Sequence, residues 1–188
     1  MPRRFQPSQL VVAAFSRHEG ALDWAADQLS ASFGAVALRS PDFDFHHTTY
    51  YARTMGAGLK KRLLVFEPLR PATILPQVKN HAIGLENVLA VGGAYPEPRP
   101  LNLDPGLLQL GRFLLASTKD QSHRTYLGQG IYVENTLRFE HERFGPWPWT
   151  YADYREPTVL AFLEEARTAL YRRLVQLRDS SATAEIPG

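Results

Sequence analysis

The chain has 188 residues, 21 Lys+Arg against 19 Asp+Glu, 44% apolar residues and no cysteine. These values fit a folded globular chain, and the length predicts one domain with a sizeable core. Zero Cys excludes disulfides, Fe–S clusters, thiolate zinc sites and cysteine nucleophiles, and a net charge of +2 is too small to mark a nucleic-acid binder by bulk charge.

Residues 1–8 are expected to be a flexible N-terminus. Leu10 to Phe15 predicts a buried first strand over 9–15. This apolar run is too short for a secretory signal, and Arg17-His18-Glu19 follows it where small residues would be needed. No stretch approaches the ~20 apolar residues of a membrane span. The expectation is a cytoplasmic chain with no membrane partner.

Ser16 and Glu19 have the spacing of a capping box. Leu22, Ala25, Ala26, Leu29 and Phe33 follow at helical spacing, with Gly34 at the C′ position, which predicts a helix over 19–33. Ala35 to Arg39 and Arg62 to Phe66 predict strands two and three. Pro71 and Pro76 predict a kinked or two-piece helix near 71–89. Ala90 to Pro100 reads as loop and Leu101 to Leu103 as a short strand. Asp104-Pro105 then has the form of a helix start. Leu107, Leu108, Leu110, Leu114 and Leu115 are expected to carry that third helix to Ser117.

Arg124 to Leu127 and Ile131 to Glu140 flank Gly128-Gln129-Gly130 and predict a hairpin. Strict alternation would place Ile131, Val133, Leu137 and Phe139 on one face and Tyr132, Glu134, Thr136 and Arg138 on the other. Phe144 to Tyr151 is an aromatic–proline segment. Val159, Leu163, Ala166, Leu170, Leu174 and Leu177 predict a long last helix over 157–177, with its glutamates early and its arginines late. The order up to Leu103 is β-α-β-β-α-β. The expected fold is α+β, a single domain over 9–178, with a mainly antiparallel sheet and packed helices. Its core would be a ferredoxin-like βαββαβ unit, followed by a helix, a hairpin and a long helix. Residues 179–188 are expected to be a disordered tail.

Four polar clusters could carry chemistry. On an extended backbone Asp42, Asp44 and His46 share a face, so Asp44 and His46 are candidate metal ligands. A strand end that turns its Phe residues inward would produce the same pattern. Asn102-Leu103-Asp104-Pro105-Gly106 is the second cluster. The third is Thr118 to Arg124 with the following hairpin. Lys119, Asp120, His123 and Arg124 lie within six residues, and Tyr132, Glu134 and Arg138 share one strand. Lys and Arg could grip a phosphate, and His123 could exchange protons near neutral pH. The fourth is Phe144 to Tyr151, where Trp147 and Trp149 could wall a pocket or offer a stacking platform. No G-x-x-x-x-G-K-[ST], post-strand G-x-G-x-x-G, G-x-S-x-G or H-E-x-x-H occurs.

Taken together, Phe43-Asp44-Phe45, Tyr50-Tyr51, Met55-Gly56, Asn102 to Gly106, Thr118-Lys119-Asp120, His123-Arg124, Tyr126-Leu127-Gly128, Gly130-Ile131-Tyr132, Glu134 and Pro146 to Thr150 with Asp153-Tyr154 resemble the bacterial domain-of-unknown-function family 4416. The resemblance runs in order over about residues 10–175. Thr54 departs from the family pattern, where an acid is expected. Some family members carry a GTP-binding label, but this chain has no P-loop. The resemblance implies no activity, but its motifs are the same ionisable clusters.

The leading expectation is a protein that binds or acts on a small phosphorylated ligand or nucleotide, with or without Mg²⁺. Lys119 and Arg124 would hold the phosphate, with Asp120, Tyr132, Arg138, Trp147 and Trp149 completing the ligand contacts. His123, Glu134 and Asp104 would be the catalytic groups. The alternatives are an RNA-binding accessory domain and a non-enzymatic protein-interaction domain.

Overall fold

The structure is a computed structural model that describes residues 7–45 and 52–184. The strands are β1 (Ser8–Ser16), β2 (Val36–Arg39), β3 (Phe43–Asp44), β4 (Lys60–Arg70), β5 (Asn102–Gln109), β6 (Arg112–Ser117), β7 (Thr125–Gly128), β8 (Ile131–Glu140) and β9 (Arg143–Pro146). The helices are α1 (Glu19–Phe33), α2 (Ala52–Met55), α3 (Leu75–Val91) and α4 (Pro157–Ala184).

The strands form one antiparallel sheet in the order β2-β4-β1-β5-β6-β8-β7. β3 extends the β4 edge and β9 the β8 edge. β4 lies between β1 and β2, which α1 connects. β1 lies between β4 and β5, which α3 connects. Two such interleaved βαβ units make the ferredoxin-like core. The chain is therefore α+β, as its element order predicts.

Both faces of the sheet are covered, and β1 is apolar on both for that reason. Leu10, Val12 and Ala14 pack with α1 and α3, while Val11, Ala13 and Phe15 pack with α4. α1 ends at Gly34, whose φ of +102° favours glycine; a Cβ there would also lie 2.5 Å from Pro68 Cγ.

Four local expectations are corrected. Ser16 is not the N-cap of α1. That position is His18, and Ser16 Oγ instead accepts from His18 N–H and donates to Pro100 C=O, tying β1 to the loop before β5. The helix expected near 71–89 is in two pieces, a 3₁₀ turn at Ala72–Ile74 and then α3, with Pro76 in the first turn of α3, where no N–H is required.

The helix expected from Asp104 to Ser117 is the β5–β6 hairpin. Its leucines mimic helical spacing because β5 is buried on both faces, Leu107 towards α3 and Leu108 towards α4. The β8 alternation is broken by a bulge: Phe113 pairs with Leu137, but Leu114 pairs with Asn135, leaving Thr136 as the extra residue. Ile131 and Val133 therefore face α3, whereas Leu137 and Phe139 face α4, on the same side as Glu134. Finally, α4 runs on to Ala184, past the expected end at Leu177 and into the segment expected to be a tail. No Gly or Pro interrupts it before Pro187.

Candidate ligand-binding cleft

The sheet parts in one place. β5 begins at Asn102 and β6 continues to Ser117, yet their pairing starts only at Gly106–Leu115. Pro105 has no N–H to give a ladder, which suits the residue where pairing stops. The gap opens a cleft of about 500 Å³, within the usual size of small-molecule sites. Thr118, Lys119, Gln121 and Tyr151 stand at its exposed mouth, and Phe15, Leu115 and Tyr154 form its buried floor. Phe45 meets Phe15 edge-on, with ring centroids 4.9 Å apart.

Three buried or half-buried carboxylates face this space, each held by a different cation. Asp104 is on one wall. It projects towards α4, yet Lys79 of α3 reaches it from the opposite face through the parting, with Nζ 3.0 Å from Asp104 Oδ1 and 2.7 Å from Leu103 C=O. Asn102 Nδ2 donates to Asp104 Oδ2 at 2.8 Å, Arg99 donates to Asn102 Oδ1 and Glu86, and Glu86 takes the Leu103 N–H. Burial works to raise the Asp104 carboxyl. The Lys79 charge and the hydrogen bonds from Lys79 and Asn102 outweigh it and hold the group below the usual carboxylate range.

A group so depressed adds stability above its unfolded value of about 3.9, and the contribution drains away as pH falls through the lower folded value. Asp104→Asn is expected to be less stable than wild type at pH 7 and to lose less on acidification below about pH 4. Urea midpoints at pH 7 and pH 3 measure this; equal acid losses in the two proteins would remove the assignment.

Glu134 is on the second wall, at 2% exposure. Its Oε2 accepts from Arg124 Nε at 2.9 Å, has Arg124 Nη2 as an ion-pair neighbour at 2.8 Å, and lies 3.2 Å from His123 Nε2. Thr136 donates to Oε1. Arg124 also donates to Ser117 Oγ, Lys119 C=O and Tyr151 Oη, so all three of its nitrogens are engaged inside the chain. Arg124 thus ties β6, the following turn, β8 and the Tyr151 segment together.

Asp153 is beside the floor. Lys61, 1% exposed, donates to Asp153 Oδ2 at 2.6 Å and sits 3.4 Å from the Tyr154 ring centroid. Burial pushes the Lys61 ammonium below its ordinary value, and the Asp153 charge and hydrogen bond resist that.

The clusters named from the sequence divide as follows. Asp104, Lys119, Arg124 and Glu134 line the cleft, and His123 joins through Glu134. Trp147, Trp149 and Arg138 do not line it; they form a stack behind His123. Trp149 lies parallel to His123 at 5.2 Å and to Trp147 at 5.3 Å, and Arg138 covers the outer face of Trp147 at 4.5 Å. Asp120 sits beside the Tyr132 phenol, and burial first, then this carboxylate, push the phenol up. Asp44 pairs with Lys60 on the surface, outside the cleft lining. His46 lies outside the described residues.

Lys61, Lys79, Arg99 and Glu86 are the groups that sequence reasoning missed. Lys79 and Glu86 did carry a signal. They lie seven residues apart along the Leu75–Val78–Ala82–Leu85–Leu89 stripe of α3, so helical geometry places both at its edge.

The family model described as domain of unknown function (DUF4416) matches residues 6–170. No curated protein and no solved structure matches the chain. No helix among the described residues is long and apolar enough to cross a membrane.

Proposed function

Because the chain belongs to the DUF4416 family, whose description carries no activity, we propose from geometry alone that the β5–β6 cleft binds a small phosphorylated ligand. The carrying observation is convergence. Lys79 from α3, Arg99 from the loop before β5, and Lys119 and Arg124 from the β6–β7 turn come from three separate segments to one cavity of about 500 Å³. Burying charged pairs seldom adds to stability over well-packed apolar residues, so their concentration here favours a binding role. Two of the three Lys79 N–H groups are used within the chain, which leaves one for a ligand oxygen. Lys119 at the mouth supplies a second ammonium. Arg124 acts indirectly, as the clamp that shapes the wall.

Asp104 and Glu134 are the carboxylates we assign to acid–base or electrostatic work, with His123 behind Glu134 to exchange protons with it. Among the described residues no group of three His, Asp or Glu side chains is arranged to hold a metal ion. A Mg²⁺ in this reading would arrive on the phosphate. The RNA alternative would use stacking on open aromatic faces, and the two indoles are already engaged with His123, Arg138 and each other.

A thermal-shift and calorimetric panel of nucleotides and sugar phosphates tests the proposal. A ligand present at 100 times its Kd raises stability by about 2.7 kcal/mol. Lys119→Ala and Lys79→Ala are each expected to weaken the best hit about tenfold, the loss of one charge-assisted hydrogen bond. If no phosphorylated compound stabilises the wild type, or both variants bind as the wild type does, the reading is wrong.

A further inference from the structure

The floor of the cleft contains a polar group that the fold leaves unused. Tyr154 is 2% exposed, and its hydroxyl has no hydrogen-bond partner among the described residues. Nearly all buried hydroxyls are paired, so an unpaired one needs a reason. Packing does not force a hydroxyl here, because a phenylalanine would fill the same ring space against Phe113, 5.5 Å away.

The surroundings define what could meet it. The ring rests on the Lys61 ammonium at 3.4 Å, and that ammonium is bonded to Asp153. Burial, then the charges of Asp153, Asp104 and Glu134, push the phenol well above its ordinary value, so it keeps its proton at any physiological pH. A neutral O–H that can donate and accept is therefore fixed among carboxylates that can only accept. Phe15 and Phe45 supply apolar, aromatic surface beside it. A phosphate is ill suited to this end, because the cations there, Lys61 and Arg124, are already paired with Asp153 and Glu134 and its desolvation is costly. It belongs at the mouth with Lys119. The inner end suits a planar, uncharged group that carries both hydrogen-bond donors and acceptors.

We infer that the ligand is a nucleoside phosphate whose base enters first, and that the Tyr154 hydroxyl is a specificity-determining contact to the base. The inference rests on the phosphate reading and narrows it. Mouth and floor then divide the work: ammonium groups hold the phosphate, while the aromatic surface, the phenol and Asp153 read the heterocycle. A sugar phosphate would fill only the outer part of the cleft and leave the Tyr154 hydroxyl unpaired.

The test compares inorganic phosphate, ribose 5-phosphate and the four ribonucleoside monophosphates by calorimetry on wild type and Tyr154→Phe. At least one monophosphate is expected to bind wild type tenfold or more tightly than ribose 5-phosphate. Tyr154→Phe should reduce that advantage several-fold, leave ribose 5-phosphate affinity unchanged, and melt no lower than wild type. Ribose 5-phosphate binding as tightly as every nucleotide would overturn the base assignment and leave the phosphate reading standing. Unchanged nucleotide affinity in Tyr154→Phe, or a clear loss of stability, would remove Tyr154 from the role. A panel in which nothing binds overturns the phosphate reading and this inference together.

Discussion

Glu134→Ala is expected to cost about 3–5 kcal/mol of unfolding free energy, the usual price of breaking a buried ion pair by removing one partner. For a chain of this length that is a fall in Tm of roughly 10 °C. The size follows from what remains. Arg124 keeps its positive charge with its side chain 1% exposed, and Nε and Nη2 lose their anionic partner. His123 and Thr136 lose a partner at the same moment. Glu134→Gln should cost less, because an amide oxygen can still accept from Arg124. The double variant Glu134→Leu, Arg124→Met should recover most of the loss, since apolar groups of similar volume replace the pair with no orphaned charge. Denaturant midpoints at constant m-value measure all three. A Glu134→Ala cost under about 1 kcal/mol would mean that the pair is effectively solvated, against the geometry.

Arg124 also shows what a sequence can and cannot convey about this site. Its cluster with Lys119, His123 and Glu134 was legible because those residues are close along the chain or share one hairpin. Their common wall is local geometry. The function of Arg124 was not legible: a free guanidinium and one whose nitrogens are all engaged inside the chain are spelled identically. The other wall comes from Lys79 and Asp104, 25 residues apart and on opposite faces of the sheet. Their contact exists only because β5 and β6 separate. The same separation was hidden by reading Asp104-Pro105 as a helix start. A proline after an acid begins many helices, and only the pairing of Val11 to Phe15 with Asn102 to Gly106 makes that segment a strand.

The α1 boundaries and the βαββαβ order were legible, because period and turn chemistry agree with tertiary packing there. The β8 face assignment failed at one residue. A bulge at Thr136 reverses every side chain beyond it, and alternation alone has no means of marking that. The bulge has a consequence for the site. It places Glu134 and Leu137 on one face, so the carboxylate meets the cleft while the following strand still feeds the core against α4.

The cleft's geometry turns on Gly106, and Gly106→Ala is expected to be the most disruptive single-methyl change in the sheet. A Cβ there would fall 2.3 Å from Leu114 C=O, 2.8 Å from Phe113 Cζ and 3.0 Å from Leu115 Cδ2. The first contact is backbone, on the strand with which Gly106 must pair, so no rotamer change relieves it. Gly106 is opposite Val11 on one side and Leu115 on the other, which prevents β5 from moving sideways without breaking a ladder. Overpacking of this kind costs about 3 kcal/mol, at the upper end of the usual range. The cheaper relaxation is for β6 to yield, because the β5–β6 ladder ends at this residue whereas the β1–β5 ladder runs past it in both directions. Extra strain at its last rung should therefore lengthen the gap. Amide exchange is expected to accelerate at Leu114 to Ser117 before it changes in β1, and ligand affinity should fall in proportion to that local opening. Gly58→Ala is a useful comparison, since nothing lies within 4 Å of its added carbon and only its φ of +72° resists the change. A Gly106→Ala protein with wild-type stability and unchanged exchange in β6 would show that the strands are not as tightly apposed as these distances require.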